Sequence, residues 1–282
     1  MEELELIKNL ALSSGAAGTA IVALLKNPDI LKLLYQDLAQ PSVKKVGDAL
    51  GSVFGLAGTL MLPIKMINEK TNLLFTKRME QYKEKINSIP DERIAEVPPE
   101  IGIPILDKLT YVQDEDIAGL YINLLAKASD KTDASKVHPY FVSAVNNLTP
   151  DEAVFIKNIY VNNIIKNNII IPYSSLIEKQ ANPSGYRVKI EYLINNNYLS
   201  NLVFPNNYAL YIDNLISLGF INKPEIEFIV DEGFYNDIKL QHQSLIDDWE
   251  IAIKQTGNSI ELKKHKVDIT ETGRTFIKLV NQ

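Results

Sequence analysis

Apolar residues recur with a helical period over much of the chain, and the clearest run follows an acidic cluster. The run starts at Ile117 and continues at the third, fourth, seventh and eighth positions after it, with Leu120, Tyr121, Leu124 and Leu125. This spacing places the side chains on one face of an α-helix. The preceding cluster, Asp114-Glu115-Asp116, puts negative charge where a helix N-terminus favours it. The pattern therefore predicts a helix that opens at this cluster.

Two further helix starts carry capping residues. Thr149 and Glu152 have the spacing of a capping box, in which each side chain satisfies a backbone N–H group of the first turn. Pro150 suits the first helical position because its missing N–H needs no partner there. His138 stands directly before Pro139, so we predict that it caps a helix rather than acting as a catalytic base.

Two stretches without charge mark the N-terminal part, from Asn9 to Leu25 and from Ala49 to Ile64. Both have the small-x-x-x-small spacing that lets helix backbones approach closely. The predicted crossing positions are Ser14, Gly18, Gly51, Gly55 and Gly58. Two alternatives stay open, a tight helical hairpin in water and a hairpin that enters or lies on a membrane. A spanning helix needs about 20 apolar residues, and both stretches are shorter.

Cations flank the second uncharged stretch, and an amphipathic helical pattern runs from Ile64 to Ile89. Once exposed, these cations would favour an anionic membrane surface. They are Lys44, Lys45, Lys65, Lys77 and Arg78.

Four prolines fall between residues 90 and 106, at Pro90, Pro98, Pro99 and Pro104. Proline lacks the amide donor and clashes with the preceding turn, so one continuous helix cannot cross this segment. The pattern predicts a folded connector here, with a domain boundary near residue 90.

The C-terminal third has the segment order of a winged-helix domain. We predict two short helices of helix-turn-helix type, from Ser174 to Gln180 and from Tyr186 to Asn196. A further helix is predicted from Ser244 to Lys254. A strand ending before Thr270 should lead into a final helix that Thr270 caps. Residues 192–199 and 214–221 are similar, which indicates either duplicated helix–strand units or two ordinary helix-cap-strand joints.

These elements predict a mostly α-helical protein in three parts. Residues 1–90 would form a glycine-rich helical hairpin and a long amphipathic helix, and residues 91–170 a central helical domain. Residues 171–282 would form a winged-helix-like α+β module.

Composition and charge narrow the classes of function. The 282 residues include no cysteine and three histidines, which excludes disulfide frameworks, thiolate metal sites and cysteine nucleophiles. The net charge is −6, and residues 171–282 carry 11 basic and 14 acidic side chains. This balance argues against nucleic acid as a partner, because phosphate neutralisation supplies most non-specific affinity. The acidic N-terminus is unlike a secretory signal, so we expect a cytoplasmic protein.

No pattern of catalytic residues stands out. The dense acidic clusters fit solvated helix ends better than a catalytic pair, which needs two carboxylates on one face in different environments. The sequence contains no nucleophile elbow, zinc-protease motif or P-loop. We therefore predict no catalytic residue, no cofactor and no metal site.

Residues 97–160 resemble the abortive-infection alpha (Abi-alpha) family of bacteria. The resemblance rests on Val97-Pro98-Pro99-Glu100-Ile101, Pro104-Ile105-Leu106, Asp114-Glu115-Asp116-Ile117, Leu124-Leu125-Ala126-Lys127-Ala128, Val137-His138-Pro139-Tyr140-Phe141-Val142 and Leu148-Thr149-Pro150-Asp151-Glu152-Ala153. It implies a role in defence against phage, in which an infected cell stops growing or dies. It carries over no catalytic residue. The family-motif residues, for which we predict structural roles, are His138, Pro139, Thr149, Pro150, Asp151 and Glu152.

The resemblance leads us to expect a non-enzymatic effector of abortive infection that acts on the membrane or through a protein partner. Its trigger would be a phage or host protein, and it could associate with itself or with an anionic membrane on activation. The alternative from another class is a DNA-binding regulator of a defence locus that uses the winged-helix-like module. An enzyme of unrecognised type is the third hypothesis.

Overall fold

The computed structural model of the chain describes residues 41–60, 69–181, 185–224, 228–229 and 231–282. The first uncharged stretch, with the crossing positions Ser14 and Gly18, lies outside these residues. The second stretch is described as far as Leu60.

The described helices and strands alternate with short turns. The helices are α1 (Pro41–Leu60), α2 (Glu69–Asn87), α3 (Pro99–Leu109), α4 (Glu115–Ala128), α5 (Pro139–Val145), α6 (Pro150–Ile159), α7 (Tyr208–Ser217), α8 (Gly233–Gln241), α9 (Gln243–Ile253) and α10 (Glu271–Asn281). The strands are β1 (Ile170–Gln180), β2 (Gly185–Leu193), β3 (Ile221–Asn222) and β4 (Ser259–Ile269). A π-helical turn, Tyr160–Ile164, continues α6. The chain is thus mostly helical with a C-terminal antiparallel sheet, as the fold class predicted at this level.

The contacts divide the chain into two compact units, with the division between Leu148 and Thr149. The first unit holds the described residues up to Leu148 together with Gln282, and the second holds residues 149–281. The predicted boundaries at residues 90 and 170 stay predictions.

The first unit is a packed group of helices. Val53 of α1 and Tyr82 and Ile86 of α2 are fully buried. Helix α3 approaches α1 closely at Gly102, where a Cβ atom would lie 2.5 Å from Cγ2 of Val53. The close approach of α3 to α1 therefore depends on Gly102, which is not one of the predicted crossing positions.

No continuous helix crosses the Pro-rich segment, as predicted, but its second half forms helix α3. Helix α3 begins at Pro99 and includes Pro104. Pro99 occupies the first helical turn, where its missing N–H costs nothing. Pro104 removes one later hydrogen bond, and the burial of Ile105 and Leu106 offsets that loss. The non-helical part of the segment ends at Pro98.

The sheet of the second unit is antiparallel, with the strand order β2-β1-β4-β3. One face packs on helices α8 and α9 through a buried cluster formed by Leu176, Leu193, Ile238 and Ile246. The half-buried ring of Trp249, the only tryptophan of the chain, joins this cluster.

The predicted helix-turn-helix segments are wrong, because both are strands. Residues 174–180 belong to β1 and residues 186–193 to β2. The missed signal is the alternation in β2, where Tyr186, Val188, Ile190 and Tyr192 are separated by single charged residues. Such a period of two is typical of a strand.

The two similar segments are therefore not copies of one helix–strand unit. The first lies at the end of β2 and in the 3₁₀ turn Asn196–Leu199. Only the second is a helix end, at which Gly219 adopts a left-handed conformation with φ of 68°.

The predicted joint between the last strand and the last helix is confirmed. The Thr270 hydroxyl accepts a hydrogen bond from the Gly273 amide at 2.9 Å and donates one to the Gly219 carbonyl at 2.7 Å. A Cβ atom at Gly273 would overlap the Phe220 carbonyl. The predicted helix around Trp249 is also confirmed, as α9.

Candidate functional site

The family-motif residue His138 caps helix α5, as predicted. Its Nδ1 atom accepts a hydrogen bond from the Tyr140 amide at 3.0 Å, and Pro139 occupies the first helical position. The exposed imidazole therefore serves a backbone donor that the helix itself leaves without a partner.

Thr149 and Glu152 form the predicted capping box at the start of α6. The Thr149 hydroxyl accepts from the Glu152 amide at 3.3 Å, and Oε2 of Glu152 accepts from the Thr149 amide at 2.7 Å. The second oxygen of Glu152 accepts from the Asn214 side chain at 2.7 Å. Glu152 thus links the start of α6 to helix α7.

Asp151 has a role that its place in the motif did not reveal. Its carboxylate accepts from the Val203 amide at 2.9 Å, the Phe204 amide at 2.7 Å and the Tyr211 hydroxyl at 2.9 Å. Burial alone would raise the pKa of Asp151, but these hydrogen bonds outweigh burial and lower it below the ordinary value. Burial and this carboxylate raise the pKa of Tyr211 to about 12. Asp151 is therefore an ionised anchor for a loop whose Val203 and Phe204 amides lie 52 and 53 residues downstream.

Two asparagines hold the same loop by hydrogen bonds. Asn158 lies in α6 and Asn162 in the π-helical turn. The Asn158 side chain donates to the Tyr198 carbonyl at 2.9 Å and to the Ser200 carbonyl at 2.8 Å. The Asn162 side chain donates to the Asn197 carbonyl at 3.4 Å. We call residues 195–207 the tethered loop, because three side chains of one continuous helical segment hold its backbone.

The tethered loop presents apolar side chains to solvent. Val203 and Phe204 are 73% and 63% exposed, and Leu210 at the start of α7 is 65% exposed. We call these three residues the apolar tip. No charged residue occurs between Glu191 and Asp213. Exposed apolar groups on a fixed backbone are typical of a surface that contacts another molecule.

The acidic cluster of the first unit has a structural role, as predicted. Asp114 caps α4 by accepting from the Ile117 amide at 2.9 Å. Glu115 accepts from Lys77 at 2.6 Å and forms an ion pair with the fully buried Arg78. Hydrogen bonds from Arg78 and Lys77 lower the pKa of Glu115 to about 2.

Three of the cations expected to face a membrane, Lys45, Lys77 and Arg78, are engaged within the first unit. Arg78 also donates to the carbonyls of Val112 and Gln113. Lys45 is buried and donates to the Ile89 carbonyl, at the end of the turn that follows α2. In this state neither side chain offers its charge to a surface.

Among the predicted helix-crossing glycines of α1, the structure describes the surroundings of Gly51. Gly51 is exposed, and no described atom lies within 4 Å of a Cβ atom placed there. Gly55 and Gly58 lie further along α1. The crossing with Ser14 and Gly18 stays a prediction.

Among the described residues, no group of three or more His, Asp and Glu side chains is placed to hold a metal ion. No helix in the same residues is long and apolar enough to cross a bilayer.

The fold and the motif define a mostly helical α+β protein in which the motif side chains cap helices and anchor a loop. The model of the abortive infection alpha family matches residues 67–280, most of the chain, so this protein belongs to that family. A search of curated proteins found no match. Among solved structures, the chain is similar to an uncharacterized protein from the hydrocarbon-degrading marine bacterium Alcanivorax borkumensis SK2. The identity is 15%, with a TM-score of 0.30, over 51% of this chain and 93% of the other.

Proposed function

We propose that this protein is a non-enzymatic effector of bacterial abortive infection, so that an infected cell stops growing or dies. The family match over residues 67–280 carries the proposal. The non-enzymatic part is supported by the motif side chains, since His138, Asp151 and Glu152 all serve backbone or side-chain donors in their own unit.

The proposal has two forms. In the first form, the effector acts through a protein partner. The apolar tip supports this form because the Val203 and Phe204 amides donate to the buried Asp151 carboxylate, and a backbone held in place lowers the ordering cost of binding. An uncharged surface also matches the apolar centre of a protein interface better than an anionic headgroup layer.

A plaque assay with surface variants tests this form. We expect the double variant Val203→Ser, Phe204→Ser to lose protection, with plaque counts rising at least about tenfold towards the empty-vector level. The matched control is Leu240→Ser with Ile251→Ser, two apolar residues of α8 and α9 that are equally exposed. The control should protect as the wild type does. Equal protection by both double variants, at equal expression, would contradict a role for the apolar tip.

The second form is action on the membrane through the N-terminal hairpin. It rests on the uncharged stretches of the sequence and requires that the engaged cations be released on activation. Gly55→Asp should then abolish toxicity, because a charge at the centre of an inserted helix costs about 2.5–3.5 kcal/mol. Circular dichroism of the variant controls for unfolding. This form is contradicted if purified protein neither binds anionic liposomes nor makes them leak, even when infected-cell lysate is added. Action through a protein partner would then remain.

A DNA-binding regulator of winged-helix type is the second candidate function. It is favoured by the antiparallel sheet and by the lysines of β4, of which Lys263 forms no ion pair among the described residues, whereas Lys264 pairs with Glu232 and Lys266 with Asp268. The acidic balance of residues 171–282 opposes it, so we expect affinity that collapses as salt rises. Sequence-selective gel shifts of the full chain at about 0.15 M salt would place this function first.

A further inference from the structure

The sheet of the second unit ends at strand β2, which has one sheet neighbour, β1, among the described residues. Residues 185–188 of β2 are all exposed. A strand at a sheet edge presents N–H and C=O groups that an added extended chain can pair. The outer side of β2 can therefore supply main-chain hydrogen bonds to a partner in β conformation.

A groove of about 360 Å³ lies beside this edge. On one sheet face it is lined by Ile177, Lys179, Tyr186, Glu261 and Lys263. Val188 stands opposite Ile177 in the strand register and shares that face. Tyr186 and Val188 are 54% and 46% exposed. An apolar side chain from an added strand would cover these two residues and reach the groove.

The charges at this edge include two exposed cations on opposite faces of the sheet. Arg187 stands opposite Glu178 in the strand register, and that carboxylate pairs with Lys189 at 2.6 Å. On the Tyr186 face, Lys179 pairs with Glu261 at 3.1 Å. Neither Arg187 nor Lys263 forms an ion pair in the part of the chain that the structure describes. The Lys263 amine lies 4.9 Å from the centre of the Tyr186 ring instead. This local positive charge, in a chain of net charge −6, complements an acidic ligand.

We infer that the β2 edge binds an extended acidic segment of a partner protein, which adds a strand to the sheet. The segment places apolar side chains over Tyr186 and Val188, on the sheet face that also carries Lys263, and acidic side chains near Arg187 on the other face. A peptide fits better than a single-stranded nucleic acid, because tight nucleic-acid binding requires many neutralised phosphates and a peptide also uses the backbone groups of the edge. Binding at this edge can be measured whether or not the chain acts in phage defence.

The first experiment measures peptide binding to the full chain by fluorescence anisotropy at about 0.15 M salt. The probes are fluorescein-labelled, end-capped octapeptides in which Glu alternates with Val, Leu or Phe. The double variant Arg187→Glu, Lys263→Glu should bind about tenfold more weakly, since each exposed charge pair contributes up to about 1 kcal/mol. Lys157→Glu, with Lys166→Glu, makes the same charge change at exposed lysines distant in the sequence and should bind as the wild type does.

The second experiment tests the backbone and the class of ligand. The tightest octapeptide, N-methylated at alternate amides, should lose at least about tenfold in affinity, because it can no longer donate to an edge strand. The inference is overturned if no octapeptide binds below about 1 mM, a value that corresponds to about −4.1 kcal/mol. It is also overturned by equal affinity of the N-methylated peptide, or by tighter binding of fluorescein-labelled dT12 than of every peptide.

Discussion

At the scale of single residues, Asp151 has a large expected effect on stability. Its carboxylate is the shared acceptor for two loop amides and the Tyr211 hydroxyl. A hydrogen bond to a charged group contributes about 1.5–3 kcal/mol, and water reaches part of this loop when the acceptor is removed. We expect Asp151→Ala to lower the free energy of unfolding by about 2–4 kcal/mol in urea denaturation. Asp151→Asn keeps one acceptor oxygen and should lose less. A change below about 0.5 kcal/mol in the alanine variant would contradict the anchoring role.

The same carboxylates predict how stability depends on pH. Burial raises the pKa of Asp130, Asp133 and Asp151, but hydrogen bonds and ion pairs outweigh it, so each pKa is lowered in the folded protein. A lowered folded pKa gives stability that is fully present above the unfolded pKa of about 3.9 and is lost as pH falls through the folded pKa. We expect the free energy of unfolding to decrease once the pH is lower than about 4. Urea denaturation at pH values from 7 to 3 measures this decrease. Asp151→Asn should make that fall shallower, and greater stability at pH 3 than at pH 6 would contradict the assignment.

Gly273 is the glycine at which a side chain should cost most. A Cβ atom there would overlap the Phe220 carbonyl, and a backbone atom cannot move aside as a flexible side chain does. We expect Gly273→Ala to lower the free energy of unfolding by about 2–3 kcal/mol or more. The control is Gly47→Ala, at an exposed site of α1 with no described atom within 4 Å. There, the higher helix propensity of alanine should raise stability by up to about 1 kcal/mol. Similar effects at both sites would show that α10 does not require the glycine.

At the scale of elements, the sequence correctly predicted the features that depend on residues close together in the chain. The caps at Asp114, His138 and Thr149 depend on neighbours two or three positions away, and all three were predicted correctly. Strand β1 was mistaken for a helix because its buried residues run almost without interruption, and such a run shows no period. The Asp151 anchor was missed because its donors lie more than 50 residues away and backbone amides leave no mark in a sequence.

The cap at His138 gives a prediction that separates structure from chemistry. Asparagine also accepts a hydrogen bond at the cap position, whereas alanine cannot. His138→Ala should lower the free energy of unfolding by about 1 kcal/mol, and His138→Asn should stay close to the wild type. His138→Asn should also keep full protection in a plaque assay. Loss of protection by this variant, when it is folded and normally expressed, would restore a catalytic or trigger-sensing role for the imidazole.

At the scale of the whole molecule, each of the two units has a buried core of its own. The first unit buries Tyr82 and Leu106, and the second buries Phe276 and Leu176. A unit of this size lies within the range of domains that fold alone. The sequence indicated the three-part order through composition and prolines, but a division set by contacts depends on which distant faces meet, and those are not visible in a local pattern.

The second unit should therefore fold as an isolated fragment of residues 149–282. Trp249, the only tryptophan, packs on the sheet cluster of this unit and lies under the Lys189 amine, 5.0 Å from its ring. Its emission reports on the second unit alone, in the fragment and in the full chain. We expect the fragment to unfold cooperatively in urea, with native emission that matches the full chain, because the buried cluster and the Asp151 anchor lie entirely within it. The variant Trp249→Phe has no tryptophan and gives the background fluorescence for this measurement. A fragment with solvent-exposed emission and no cooperative transition would contradict the division at Leu148 and show that the sheet requires residues of the first unit.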